Sequence, residues 1–440
     1  MPLIRRYPED APAPRREIFG WAMFDFANQA YTLLIITVIF GDLFTRVIVG
    51  DGPDYRLGNL LWSMALAVSY AMVIILAPLA GAIMDATASR KRFLAASWML
   101  TVVATSLLYF VEPGLVVYGM ALIIFSNFGY AIGESFIASF LPDLGPPERL
   151  GWISGLGWAL GYVGGLVATA FALGLLGEVS AENFERIRWV GPFAAAFFLV
   201  AAIPTFLFLK ERGRRRHLRR RVQLGLGWRR VRAALVELRE QRGLRSLFLS
   251  IFFMMAGIYI IIAFTFIYGA QVIEWDEPVR IAMFVITQVT AIIGALGFGL
   301  LQDRLGAVRI YRVTLALWSA AVLAIFATPA IAQWLGVLLG RPVEAQMVFL
   351  AVGILAGACL GAAQSAGRAL VGMMVPPGEA GRWFGFWALS ARAAAILGLG
   401  GIGLLQAWLG LANAILFCLF LFLAALLASI PVRLPARASA

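Results

Sequence analysis

Gly81-Ala82-Ile83-Met84-Asp85, followed by Arg90-Lys91-Arg92, and Gly299-Leu300-Leu301-Gln302-Asp303-Arg304, followed by Gly306 and Arg309, decide how this chain is organised. Each stretch closes an apolar run, sets an aspartate four residues after a glycine and continues into basic residues. The two aspartates lie 218 positions apart. A glycine at a helix end lets a second helix come close, and an acid there suits a neighbouring helix N-terminus and a basic loop. One such copy is common by chance. Two at corresponding places indicate that the chain repeats itself.

Around these stretches the sequence is apolar almost throughout. Of 440 residues, 61% are hydrophobic and 14% charged, where a soluble domain carries roughly 25% charged residues. That excludes a soluble enzyme, a secreted disulfide scaffold and a disordered chain. Runs without a charged residue cover 26–41, 57–84, 93–111, 113–133, 152–177, 189–209, 246–273, 281–302, 313–340, 345–367 and 393–432. A bilayer core needs about 20 apolar residues in a helix. The last run would reach ~60 Å as one helix, so it must fold back, around Gly410. The first extends over Ile18 to Val49 across Asp25, Asp42 and Arg46. The expectation is an all-α membrane protein with twelve transmembrane helices in two six-helix bundles, 1–209 and 246–440, joined by a basic linker, 210–245. Arg5-Arg6 has no short apolar core and cleavage site behind it, so the first span reads as retained.

With twelve spans both termini share a side. That side holds most of the basic residues, including the 14 between Lys210 and Arg245, against only Arg46, Arg56, Arg186, Arg188, Arg280 and Arg341 opposite. Both termini are therefore expected in the cytoplasm. The net charge of +12 reads as topology, and no nucleic-acid partner is expected. The linker reads as a topogenic connection or as a surface for anionic lipid, with a short amphipathic helix over Val231 to Leu238. His217, the single histidine, is expected to be a solvated linker residue, and Cys359 and Cys418 lie in apolar runs. No metal site, cofactor or catalytic triad can be assembled from such residues.

The paired loops, the six-plus-six arrangement and the basic middle resemble the major facilitator superfamily. A narrower resemblance, to the vacuole-effluxer family within it, is carried by Gly20-Trp21-Ala22-Met23-Phe24-Asp25-Phe26-Ala27-Asn28-Gln29-Ala30-Tyr31, by Leu141-Pro142-Asp143 with Ser154 to Gly165, and by Gln364, Arg368, Pro376, Phe384-Gly385-Phe386 and Ala388-Leu389-Ser390. The chain departs from that pattern at Ala138 and at Met255-Ala256-Gly257, where polar residues are expected. The resemblance implies two bundles around a central cavity, worked by rocking. Its yeast members are linked to amino-acid export from the vacuole. The Arg, Ala and Gly bias suggests a bacterial source and hence an inner-membrane location.

Ionisable groups in a membrane span are costly unless paired or wetted, so Asp25, Glu134, Arg368 and Arg392 are functional candidates. Asn28 and Gln29 follow Asp25 within a turn, and Gln364 shares a helix face with Arg368. Asp25 reads either as a proton or substrate-amine site or as a structural partner for an arginine. Gly157, Gly161 and Gly165 read as a packing stripe. Trp158 and Tyr162, four apart, suit one aromatic face toward a cavity or a place at the lipid interface. Gly81, Asp85, Arg90, Gly299, Asp303 and Arg309 are the expected conformational-switch loops. Glu134 and Arg368 lie at similar depth and are expected either to pair as a cytoplasmic gate or to find separate partners.

These residues point to a secondary active transporter for a small polar solute, an amino acid or similar metabolite, with the membrane carboxylates available as proton carriers. No Gly-rich nucleotide loop is present, which argues against ATP-driven pumping. The apolar stretch Phe252, Phe253, Met254, Met255 and Tyr259 keeps efflux of drugs or lipids as an alternative, with a non-transporting sensor on the same scaffold as the other.

Overall fold

The computed structural model describes residues 12–50, 55–177, 179–212 and 220–434. His217 and Arg5-Arg6 lie outside them. Among the described residues, twelve helices are long and apolar enough to cross a membrane. They are α1 (Arg15–Val49), α2 (Arg56–Thr87), α3 (Arg90–Phe110), α4 (Val116–Asp143), α5 (Pro147–Leu176), α6 (Phe184–Phe208), α7 (Arg242–Ile273), α8 (Glu277–Leu305), α9 (Ala307–Phe326), α10 (Ala345–Met374), α11 (Ala380–Leu409) and α12 (Leu411–Ser429). Large apolar side chains such as Ile75, Val117, Ile293 and Leu404 stand exposed on them, as expected where lipid replaces water as solvent.

The breaks follow local chemistry. The long final run turns at Gly410, whose φ of 74° suits a residue without Cβ. The run 313–340 does not form one span. It stops at Phe326, and a separate helix, Thr328–Leu339, begins with a proline in its first turn. Pro329 has no N–H to continue the preceding ladder, but it is well placed where a helix starts. The linker helix is longer than expected, Arg220–Glu240. Two spans leave α geometry toward their ends. In α1 the wider π pattern covers Tyr31–Val38 and Phe44–Val49, and in α7 it covers Gly269–Ile273. Both spans finish on a left-handed residue, Gly50 or Glu274.

Contacts group the chain into two compact units. The first contains residues 1–146, 160–234 and 375–389; the second contains 147–159, 235–374 and 390–440. Helices α5 and α11 are thus each divided between units. Within the first unit α2 and α3 pack on α4, and α1 and α3 pack on α6. Within the second, α8 and α9 pack on α10, and α7 and α9 pack on α12. The pairing repeats with an offset of six helices, the structural counterpart of the sequence repeat.

Glycines set the closest approaches. A Cβ on Gly164 would lie 2.1 Å from the Phe26 carbonyl oxygen of α1, and one on Gly398 would lie 2.5 Å from that of Ala256 in α7. Neither could be accommodated without moving backbone. Here α5 meets α1 and α11 meets α7, once in each unit.

Candidate functional site

The twin loops place their acids alike. Asp85, near the end of α2, accepts the backbone N–H groups of Gly381 and Arg382 in the first turn of α11, both at 2.8 Å. Asp303, near the end of α8, accepts those of Gly151 and Trp152 at the start of α5, both at 2.9 Å. Each carboxylate satisfies two of the four donors a helix start leaves without intrahelical partners, at the positive end of the helix dipole. The glycines make this possible. A Cβ on Gly81 would lie 2.0 Å from the Gly381 carbonyl oxygen, and one on Gly299 2.7 Å from that of Gly151.

The basic residues after the two loops divide their work. Arg90 is buried and pairs with Asp143 at the end of α4, donates to the Ser139 carbonyl at 2.7 Å and lies 3.5 Å from Glu211. Lys91 donates to the carbonyls of Phe206 and Leu209, both at 2.7 Å, and so closes the C-terminal end of α6. In the second half Arg309 is exposed. The side chain that closes α12 is Arg312, which donates to the Ser429 and Ile430 carbonyls at 2.9 Å each. Cations at a helix C-terminus suit both the free carbonyls and the dipole. Glu17, buried in the first turn of α1, pairs with Arg212 at 2.8 Å.

Deeper in the first unit, Asp25 and Asn28 are buried on α1, with Gln29 partly so. The α5 stripe runs against this segment: a Cβ on Gly161 would lie 3.3 Å from both the Asp25 carbonyl oxygen and the Gln29 side chain, and one on Gly165 would meet Leu33. Gly161 and Gly165 therefore pack helix on helix. One turn further, the Tyr31 hydroxyl shares a hydrogen bond with Ser126 of α4 at 2.9 Å, and its ring stacks on Tyr130 at 5.0 Å. Tyr130 donates to the Glu134 carboxylate at 3.0 Å, and the amide of Asn127, also on α4, donates to Ser69 of α2 at 2.5 Å. Glu134 thus ends a row of polar groups along α4.

In the second unit Arg368 is buried on α10. Its Nε donates to the Ser154 hydroxyl at 3.1 Å, a terminal nitrogen donates to the Ser154 carbonyl at 2.9 Å, and the guanidinium lies 5.3 Å from the Trp158 ring centroid. Ser154 donates onward to the Ser365 carbonyl at 2.9 Å. Gln364 is buried one turn before Arg368. Arg392 of α11, also buried, donates to the Tyr259 hydroxyl of α7 at 2.8 Å. Trp158 covers Arg368 in the second unit, while Tyr162 is buried in the first.

Sequence reasoning had no means of finding Ser154, Ser126, Asn127, Tyr31 or Glu17 as partners. Single uncharged polar residues in an apolar run show no periodicity, and Glu17 sits where a terminal acid would ordinarily be solvated. Arg312 was readable only as one more cytoplasmic cation. Among the described residues no cluster of acids, cysteines or histidines suits a metal.

The comparisons agree with this architecture. The chain is 23% identical over 387 residues to an uncharacterized MFS-type transporter, YxiO, of Bacillus subtilis, covering 86% of each chain. Among solved structures, it is similar to the human organic anion transporter MFSD10 with a TM-score of 0.71 and 15% identity, over 96% of this chain and all of that one. It is also similar to the fucose:proton symporter FucP of E. coli with a TM-score of 0.71 and 14% identity, over 94% of this chain and 97% of that one. The profile of the family described as vacuole effluxer Atg22 like matches residues 61–150 and 148–437. With well over half of the chain so matched, on twelve spans in the major facilitator fold, this integral multi-pass membrane protein belongs to the vacuole effluxer Atg22-like family of the major facilitator superfamily.

Proposed function

We propose that the protein is a secondary active carrier that moves a small polar solute, an amino acid or similar metabolite, by alternating access between two six-helix bundles, 1–209 and 246–440. It works in a bacterial inner membrane with both termini cytoplasmic. It is not an enzyme and has no nucleic-acid partner. The observation that carries this reading is the set of buried ionisable side chains Asp25 on α1, Arg368 on α10 and Arg392 on α11, with the half-buried Glu134 on α4; Arg368 is held by Ser154 and Arg392 by Tyr259. Such groups are costly in lipid and mark substrate and ion pathways in membrane proteins.

The roles then divide by charge. The acids Asp25 and Glu134 suit an ammonium group or a transported proton, and the arginines Arg368 and Arg392 suit a carboxylate. Asn28, Gln29 and Gln364 offer neutral hydrogen bonds beside them. Asp85 and Asp303, by capping α11 and α5, favour one arrangement of the carrier without touching cargo. A proton gradient supplies the drive.

The test is uptake of radiolabelled amino acids into proteoliposomes under an imposed proton gradient, preceded by thermal-shift screening of the purified protein against amino acids, nucleosides, sugars and lipids. A cargo that binds the folded state raises its stability by mass action. Stabilisation by one amino-acid class and gradient-dependent flux of that class support the reading. Flux that persists unchanged in the Asp25→Asn, Glu134→Gln double variant removes proton coupling through these residues. Ligand binding with no flux assigns the chain to sensing instead.

A further inference from the structure

We propose that the linker helix, Arg220–Glu240, carries a docking surface for the phosphate headgroups of anionic lipid. One face of this helix is already used. A Cβ on Gly227 would lie 2.8 Å from Leu79 and 3.1 Å from Ile83 of α2, and Ala234, seven residues on, is fully buried. A second, exposed face holds Trp228, Arg232, Leu235 and Arg239, spaced four, three and four residues apart, so that they form one stripe along the helix. All four are exposed, Trp228 at 57% and Leu235 at 47%. Exposed Arg229 and Val236 flank the stripe.

An indole and two aliphatic side chains interleaved with arginines match a membrane interface in both respects. The apolar groups enter the headgroup boundary and the guanidinium groups meet phosphate. Charge selects the occupant. The helix has six arginines against Glu237 and Glu240, which favours anionic over zwitterionic lipid, while a protein groove would leave the arginines to be neutralised separately. The helix also packs on Leu79 and Ile83, which belong to the last turns of a membrane span.

The docking has a route to the transport cycle. The division between the two compact units falls inside this helix, between Ala234 and Leu235. Arg230 of the same helix acts electrostatically on Asp85, the acid that caps α11. Lipid that holds the stripe fixes the helix that carries Arg230, and so the charge environment of that cap.

The experiment places a nitroxide at Leu235→Cys in the full-length protein; Cys359 and Cys418 are buried and are not labelled alongside it. Collision rates with oxygen and with a water-soluble nickel chelate are read in vesicles of phosphatidylcholine, with and without phosphatidylglycerol. The expected result is a label that sits in the headgroup region when phosphatidylglycerol is present and moves toward water without it. Each arginine near the headgroups contributes roughly fivefold to docking, so Arg229→Gln, Arg232→Gln and Arg239→Gln together should weaken it roughly a hundredfold. The triple variant lies on the exposed face, and an unchanged melting temperature confirms that it folds. A label that stays in water in both vesicles overturns the proposal and leaves the face to a soluble partner. A label equally deep in both, or unmoved by the triple variant, overturns the selection for anionic lipid.

Discussion

Arg368 and Ser154, 214 positions apart in sequence, are joined twice, side chain to side chain at 3.1 Å and side chain to backbone at 2.9 Å. A guanidinium can make both bonds and still present its face to Trp158; an ammonium cannot. Arg368→Lys should therefore behave nearly as a deletion, losing most transport. Ser154→Ala removes both bonds of the hydroxyl, to Arg368 and to the Ser365 carbonyl, keeps the one to its own carbonyl, and should cost about 1–3 kcal/mol of stability. Uptake assays and thermal melts of the two variants check this; full activity in Arg368→Lys would show that only the charge matters.

The two caps should respond in parallel. Asp85→Asn and Asp303→Asn each keep one acceptor oxygen of the two, so each should lower stability by roughly 0.5–2 kcal/mol. Because the caps lie in different compact units, the double variant should show additive losses. Transport rate should change more than equilibrium binding of cargo to a trapped conformer, measured by ligand-induced thermal shift. A loss of binding with an unchanged melt would contradict a capping role.

Helix contact at glycine gives a matched pair. Gly164→Ala would press a methyl against the Phe26 backbone, whereas Gly174, on the same helix, has nothing within 4 Å of an added Cβ. The first should destabilise by about 1–3 kcal/mol. The second should be neutral or stabilise by up to ~1 kcal/mol, through helix propensity alone. Thermal melts in detergent distinguish the two, and equal shifts would mean that α5 does not hold α1 at this point.

Arg309 and Arg312 separate a solvated cation from a capping one. Arg312→Ala takes the side-chain donor from the Ile430 carbonyl and leaves the Ser429 carbonyl with only the Val432 N–H, and should cost about 1–3 kcal/mol. Arg309→Ala, on an exposed site, should leave the melt within about 0.5 kcal/mol of the parent. A reversed order would place the cap at the wrong residue.

The membrane class, the number of spans and the turn at Gly410 were legible because they depend on composition and length, which a bilayer constrains strongly. The repeat was legible because Gly81 with Asp85 and Gly299 with Asp303 keep the same spacing. What sequence could not supply was pairing. Nothing in the run around Ser154 shows that its hydroxyl meets Arg368, since the contact depends on two helices far apart in sequence. The break at Ala327 was missed for a simpler reason: a charge-free run reports hydrophobicity, and Pro329 interrupts a helix without changing it.

The exchange of helix ends bears on how the chain is made. Synthesis runs from the N-terminus, yet the first compact unit is completed only by residues 375–389, and Asp85 meets Gly381 across 296 residues. Its carboxylate must therefore enter the bilayer long before the helix start it caps has been translated. During that interval the nascent protein holds an uncapped acid at a membrane boundary, and Arg90, five residues on, is the cation at hand to accompany it. An N-terminal fragment ending before α11 would keep that immature arrangement permanently, and supplying the remaining helices as a separate polypeptide should let it mature.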